Sequence, residues 1–164
     1  MALKHIWTYI LGLLFFYVQV LFMPTFELFG VIPNILIPWV VYLVWSRELN
    51  PALIVIFLIG LLYDTTYPQT FGSHALIFLL VGLAINQFRK PFEDESVLAR
   101  MLSLILANLI FHFIFWLMLG IDYGFTGQLF ALNLLAFAYN LAISFVVFWI
   151  TQLVSRLRIV LVND

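Results

Sequence analysis

The sequence predicts an all-α fold: a polytopic bundle of six transmembrane helices forming one integral membrane domain over residues 1–164. Three observations predict it. Hydrophobic residues make up 65% and charged residues 9% of the chain, and mean hydropathy is +1.14. A soluble domain carries about 25% charged residues. Apolar segments alternate with short polar turns, and the basic residues can all be placed on one side of a membrane. The 18 Phe, five Trp and seven Tyr suit lipid-facing surfaces and interfacial belts. The alternation of a membrane β-barrel, in segments of about ten residues, is absent.

The first apolar segment, residues 6–23, follows Lys4 and is long enough to cross a ~30 Å hydrocarbon core at about 1.5 Å per residue. It lacks a small-x-small cleavage site and leads into further apolar sequence, so a retained helix is expected rather than a signal peptide. A hairpin carrying only Glu27 as a charge precedes the second segment, residues 34–45. That segment is shorter than the ~17 residues a crossing needs, and Pro38 within it predicts a kink. Either residues 26–32 dip into the membrane, or a short or broken helix is shielded by its neighbours.

Arg47 and Glu48 close this segment. Asn50-Pro51 reads as a capping residue and first-position proline for the third helix, residues 51–64. Pro68 prevents its continuation. Gly72-Ser73 offers a turn and a hydroxyl cap for the fourth helix, residues 73–88, which ends at Arg89-Lys90-Pro91. The charged segment 91–101 follows. Its Glu93, Asp94 and Glu95 favour a helix N-terminus, with Ser96 as the cap of the fifth helix, residues 96–119. A loop containing Asp122 leads to the sixth helix, residues 128–153.

Assigning alternate sides from a cytoplasmic N-terminus places Lys4, Arg47, Arg89, Lys90, Arg100, Arg156 and Arg158 inside. Glu27, Asp64 and Asp122 fall in the outer loops. Because Lys and Arg concentrate in cytoplasmic loops, six crossings with both termini cytoplasmic are expected. Five crossings would leave the C-terminal arginines outside.

Few residues carry chemistry. The absence of cysteine excludes disulfides, thiolate nucleophiles and Cys-ligated metals. His5, His74 and His112 have no metal-ligand spacing, no Gly-rich phosphate loop occurs, and no Ser-His-Asp set shares a depth. No catalytic residue, cofactor, metal or nucleic acid is expected. Asn108 and His112 share a helix face, as do Asn133, Asn140, Ser144 and Thr151. Such groups join helices by hydrogen bonds or line a solute pathway; a conduit needs more ionisable groups than this chain holds.

Asp64 ends an uninterrupted apolar run, where a charge needs a partner, water or an interfacial position. It can pair with His74 across the turn. It can equally be an exposed interfacial acid, with His74 bonded to a backbone carbonyl, or help to fix a turn recognised by an outer partner. Gly60 and Gly72 permit close backbone approach on either side of it.

Residues 30–90 resemble the bacterial rod shape-determining MreD family. The resemblance rests on Pro33-Asn34-Ile35-Leu36-Ile37, then the Gly-Leu-Leu-x-Asp element from Gly60 to Asp64. Gly-x-His-Ala-Leu follows from Gly72, with His74 as its histidine, and leads into a helix containing Gly82. It implies a six-helix arrangement similar to that of substrate-binding subunits of energy-coupling-factor vitamin transporters. It also implies a non-enzymatic component of the machinery for lateral peptidoglycan synthesis, multi-pass in the bacterial cell (inner) membrane. The implied partners are an MreC-like single-span protein, an MreB-like filament, a RodA-like polymerase and a class B transpeptidase. The rival reading is a vitamin-binding membrane subunit with a polar outward pocket and an ATPase partner. Few polar residues are available to specify a vitamin, and segment 91–101 is either the inner contact of a scaffold or an ordinary solvated loop.

Overall fold

The structure, a computed structural model, describes residues 2–93 and 96–162, with side chains over 8–93 and 96–153. Asp94 and Glu95 lie outside the described residues, as do the side chains of Lys4, His5, Arg156 and Arg158. The described chain forms six α-helices: α1 (Ala2–Leu21), α2 (Leu36–Ser46), α3 (Leu49–Asp64), α4 (Ser73–Arg89), α5 (Val97–Tyr123) and α6 (Gly127–Val162). Two 3₁₀ turns, Met23–Phe26 and Pro68–Thr70, sit in the loops, and no strand occurs among the described residues. Helices α5 and α6 each contain a 27-residue apolar stretch long enough to cross a membrane. The other apolar helices are shorter.

The shortest helix is the hub. With 11 residues, α2 rises only about 16 Å, yet it packs against every other helix. Nine of its residues are buried, and Leu36, Ile37, Trp39, Val40 and Val44 are fully enclosed. A helix apolar on all faces must lie inside a larger body, and here the other five helices surround it.

Two features of the helix starts differ from the sequence expectation. Pro38 falls in the first turn of α2, where its missing N–H would have had no intrahelical partner, so it starts the helix instead of kinking it. Helix α3 begins at Leu49 with no side-chain cap, which places Pro51 third and leaves Asn50 inside the first turn. Ser96 does cap α5, its hydroxyl accepting from the Ala99 N–H at 3.2 Å.

Helices α3 and α4 form an antiparallel pair whose backbones meet at Gly60. A Cβ there would lie 2.6 Å from Ala75 Cα. Gly82 on α4 is less constrained, since a Cβ would meet the side-chain ends of Leu53, Ile56 and Val44, at 3.2, 3.3 and 3.7 Å. Backbone must move in the first case and a methyl in the second. Gly60→Ala is therefore expected to destabilise the protein by about 1–3 kcal/mol, and Gly82→Ala by less. Thermal unfolding of both variants in the same detergent checks the order.

Candidate functional site

At one end of the bundle four helices meet: α1 ends, α2 starts, and α3 turns into α4. Buried helix starts leave N–H groups without intrahelical partners, and in a membrane water cannot supply them. The polar side chains gathered here meet that need.

The segment entering α2 is non-helical and buried at Asn34 and Ile35. Gln19, on α1 and 2% exposed, spans it with both ends of its amide. Its Nε2 donates to Pro33 O at 3.0 Å, and its Oε1 accepts from Ile35 N–H at 2.8 Å. From the opposite side, Asn140 on α6 accepts the Asn34 N–H through Oδ1 at 2.6 Å and donates from Nδ2 to Ala136 O in its own helix. Asn34 Oδ1 then accepts the Leu36 N–H at 3.0 Å. Residues 33–36 are thus tied to the first and last helices of the chain, α1 and α6, by amide side chains.

The start of α4 is met by a carboxylate. Asp64, the last residue of α3, is fully buried, which overturns the exposed-acid reading. Its Oδ1 accepts from the His74 N–H at 3.0 Å, and its Oδ2 accepts from the Ala75 N–H at 3.0 Å. His74 Nδ1 lies 2.8 Å from Oδ1, within hydrogen-bond distance. A negative group at a helix N-terminus also gains from the macrodipole, by up to ~2 kcal/mol when partly buried. Ser73 was expected to supply the cap. Gly72 instead takes the N-cap position at φ 90°, a left-handed conformation open to glycine, and makes no side-chain bond.

Aromatic rings enclose the pair. Tyr63 stands edge-on to the His74 ring at 4.8 Å, Tyr67 lies at 5.6 Å, and Phe115 of α5 at 5.8 Å. The Tyr63 hydroxyl is 3.5 Å from Gln19 Nε2, at the limit of a hydrogen bond, so the two capped starts adjoin. The hydrogen bonds of the arrangement run to backbone N–H groups, and its chemistry is that of a structural lock.

Further along the bundle, Asn108 of α5 donates to Ser144 Oγ of α6 at 3.1 Å and to Leu104 O at 2.9 Å. His112, one turn on, is 5% exposed; neither ring nitrogen meets a hydrogen-bond partner at full geometry among the described residues, and Asn133 of α6 is a polar group near it. Thr151 bonds back to Phe148 O of its own helix. The structure therefore brings together Pro33, Asn34 and Asn140 in one group, Asp64, Gly72 and His74 beside it, and Asn108 with Ser144 apart from both. Gln19 was missed in the sequence, although it is the one amide within an otherwise apolar segment. Ser103, which accepts the Trp45 indole N–H at 3.1 Å and donates to Ala99 O, was missed too. A lone serine in an apolar helix carries no signal of what it will meet.

Asp64→Ala is expected to strand the His74 and Ala75 N–H groups and destabilise the protein by roughly 2 kcal/mol or more. Asp64→Asn, keeping one acceptor oxygen, should lose less. Thermal unfolding with amide hydrogen exchange at residues 74 and 75 separates the two. Gln19→Leu should likewise destabilise by about 1–3 kcal/mol and accelerate exchange at Ile35, with residues 74 and 75 less affected.

Comparison with curated proteins and with solved structures returns no match. The family model for rod shape-determining protein MreD matches residues 3–157 of the 164. With nearly its whole length covered by that match and its apolar helices built to lie in a bilayer, this integral membrane protein belongs to the rod shape-determining MreD family.

Proposed function

We propose that the protein is a non-enzymatic scaffold of the elongation machinery, holding an MreC-like single-span protein and associated wall-synthesis proteins at the cell membrane. The family match over residues 3–157 is the observation that carries this reading. The use of the polar side chains supports it. Asp64, His74, Asn34, Asn140 and Gln19 are occupied in holding helix starts, so they are not offered to an outward vitamin pocket. Helix α6 is the complement: only 17% of its apolar span is buried, and Phe130, Leu134, Val146, Trp149 and Leu153 are exposed. In lipid, where association depends on packing, such a face provides contact area for another helix. Segment 91–101 is the proposed inner contact, and an MreB-like filament, a RodA-like polymerase and a class B transpeptidase are the further partners.

The proposed topology has six crossings with both termini cytoplasmic, since the basic residues then share one side. Helix α2 crosses only as the core of a bundle, its length being completed by the buried segment before it.

Mild-detergent affinity purification of the tagged protein from its native membrane tests the function. Co-elution of a single-span periplasmic protein with a wall polymerase is expected; ATPase subunits in their place would make it a transporter component. Asp64→Ala should reduce partner retention more than Asp122→Ala, and equal retention would remove Asp64 from any role in shaping the outer contact. The cysteine-free chain allows a direct topology test. A membrane-impermeant maleimide added outside should label Glu27→Cys and Asp122→Cys and leave Lys90→Cys unlabelled.

A further inference from the structure

Between α1 and α2 the chain makes a hairpin whose tip carries a residue its backbone does not favour. Leu28 and Val31 exchange backbone hydrogen bonds at 3.0 and 2.9 Å around Phe29 and Gly30, whose φ angles are 52° and 80°. Two positive φ angles are the pattern of a type I′ turn, for which asparagine followed by glycine is the preferred pair. Phenylalanine seldom adopts that left-handed conformation, yet it holds the first place here with its side chain 82% exposed. Local folding gains nothing from this choice. Phe22, Phe26 and Leu28 are exposed as well, so Phe29 belongs to an apolar surface.

Depth decides what that surface meets. Gln19 bonds to Pro33 and Ile35, which places it level with the start of α2. Since α2 rises only about 16 Å from its Arg47 end, roughly 14 Å of a ~30 Å hydrocarbon core remains beyond that level. Helix α6 gives a second measure. Tyr139 donates its hydroxyl to Phe26 O at 2.6 Å and adjoins Asn140, which holds Asn34. The 12 residues from Tyr139 back to Gly127, the start of α6, rise roughly 18 Å further. The hairpin is therefore attached well below the outer end of the bundle.

Its backbone suits a place short of water. Pro24 has no N–H, the Thr25 and Glu27 N–H groups donate to Phe22 O and Pro24 O, and the Leu28 and Val31 pair satisfies itself. Glu27 sets the upper bound. It is exposed, and a carboxylate needs headgroups or water beside it, so the hairpin lies at the membrane boundary and not in the hydrocarbon centre.

We propose that residues 26–31 form a lipid-contacting wedge, with Phe29 seated at the headgroup and acyl-chain boundary of the outer leaflet, where it holds the non-helical entry to α2 at a fixed depth. The inference rests on the proposed crossing of α2. The maleimide labelling tests that crossing separately.

The test is electron paramagnetic resonance of the full chain in dioleoylphosphatidylcholine vesicles, with a nitroxide on a single introduced cysteine. Collisions with oxygen, which concentrates in lipid, are compared with collisions with a water-soluble nickel chelate. With the chelate on both sides of the membrane, the depth reading does not depend on orientation. Nitroxides at Phe29→Cys and Leu28→Cys should favour oxygen and lie roughly 5–10 Å below the phosphates, while one at Asp122→Cys should favour nickel. Leu28→Cys keeps Phe29 in place and decides the outcome if the two positions differ. Adding Phe29→Asn to Leu28→Cys relieves the turn and should shift that nitroxide toward water. Nickel-favoured collisions at position 28, equal to those at 122, would overturn the inference and leave the tip for an apolar pocket on a partner protein. An unchanged depth with Phe29→Asn would overturn it too, because Phe29 would then not be the anchor.

Discussion

The structure depends on satisfying backbone polar groups at the buried start of a helix too short to cross a bilayer. Helix α2 is enclosed by the other five, so its first N–H groups and the preceding carbonyl cannot reach water. Gln19 from α1 and Asn140 from α6 reach them instead, one amide bonding on both sides of Asn34 and the other to Asn34 itself. Each unsatisfied group in hydrocarbon would oppose folding by several kcal/mol. These two side chains therefore make a central non-helical segment tolerable. They also bring α6 to the core at Asn140 while much of its outer surface remains open.

The same requirement explains Asp64. A carboxylate buried against aromatic rings is unfavourable in isolation, but this one replaces water for two N–H groups at the start of α4 and for the His74 ring. Its position makes the arrangement geometrically possible. Asp64 ends one helix, the turn through Pro68 returns the chain, and Gly60 one turn earlier lets α4 approach within backbone contact. A side chain at Gly60 would push Ala75 away and stretch the bonds that Asp64 makes to residues 74 and 75. The Gly-Leu-Leu-x-Asp element and the later Gly-x-His-Ala element are thus two halves of one interaction.

Polar groups at the opposite end serve differently. There the Trp45 and Ser103 bond ties α2 to α5. One end of the bundle is closed by hydrogen bonds within the chain. A scaffold that presents apolar helices to lipid and other helices is consistent with the open apolar face of α6.

Sequence alone determined the class of the protein, the existence of six helices and the shortness of the second, because composition and apolar segment length reflect the solvent directly. It also singled out Asn34, Gly60, Asp64, Gly72 and His74, since polar and glycine residues stand out against an apolar background. Tertiary structure decided what those residues do. The bonds from Asn140 to Asn34 and from Gln19 to Ile35 join positions 106 and 16 residues apart, and no local pattern reports such a distance. Pro38 and Ser73 were misread because a proline's effect and a helix's cap depend on where the helix starts. That start moves by a residue or two when a distant side chain supplies the missing hydrogen bond.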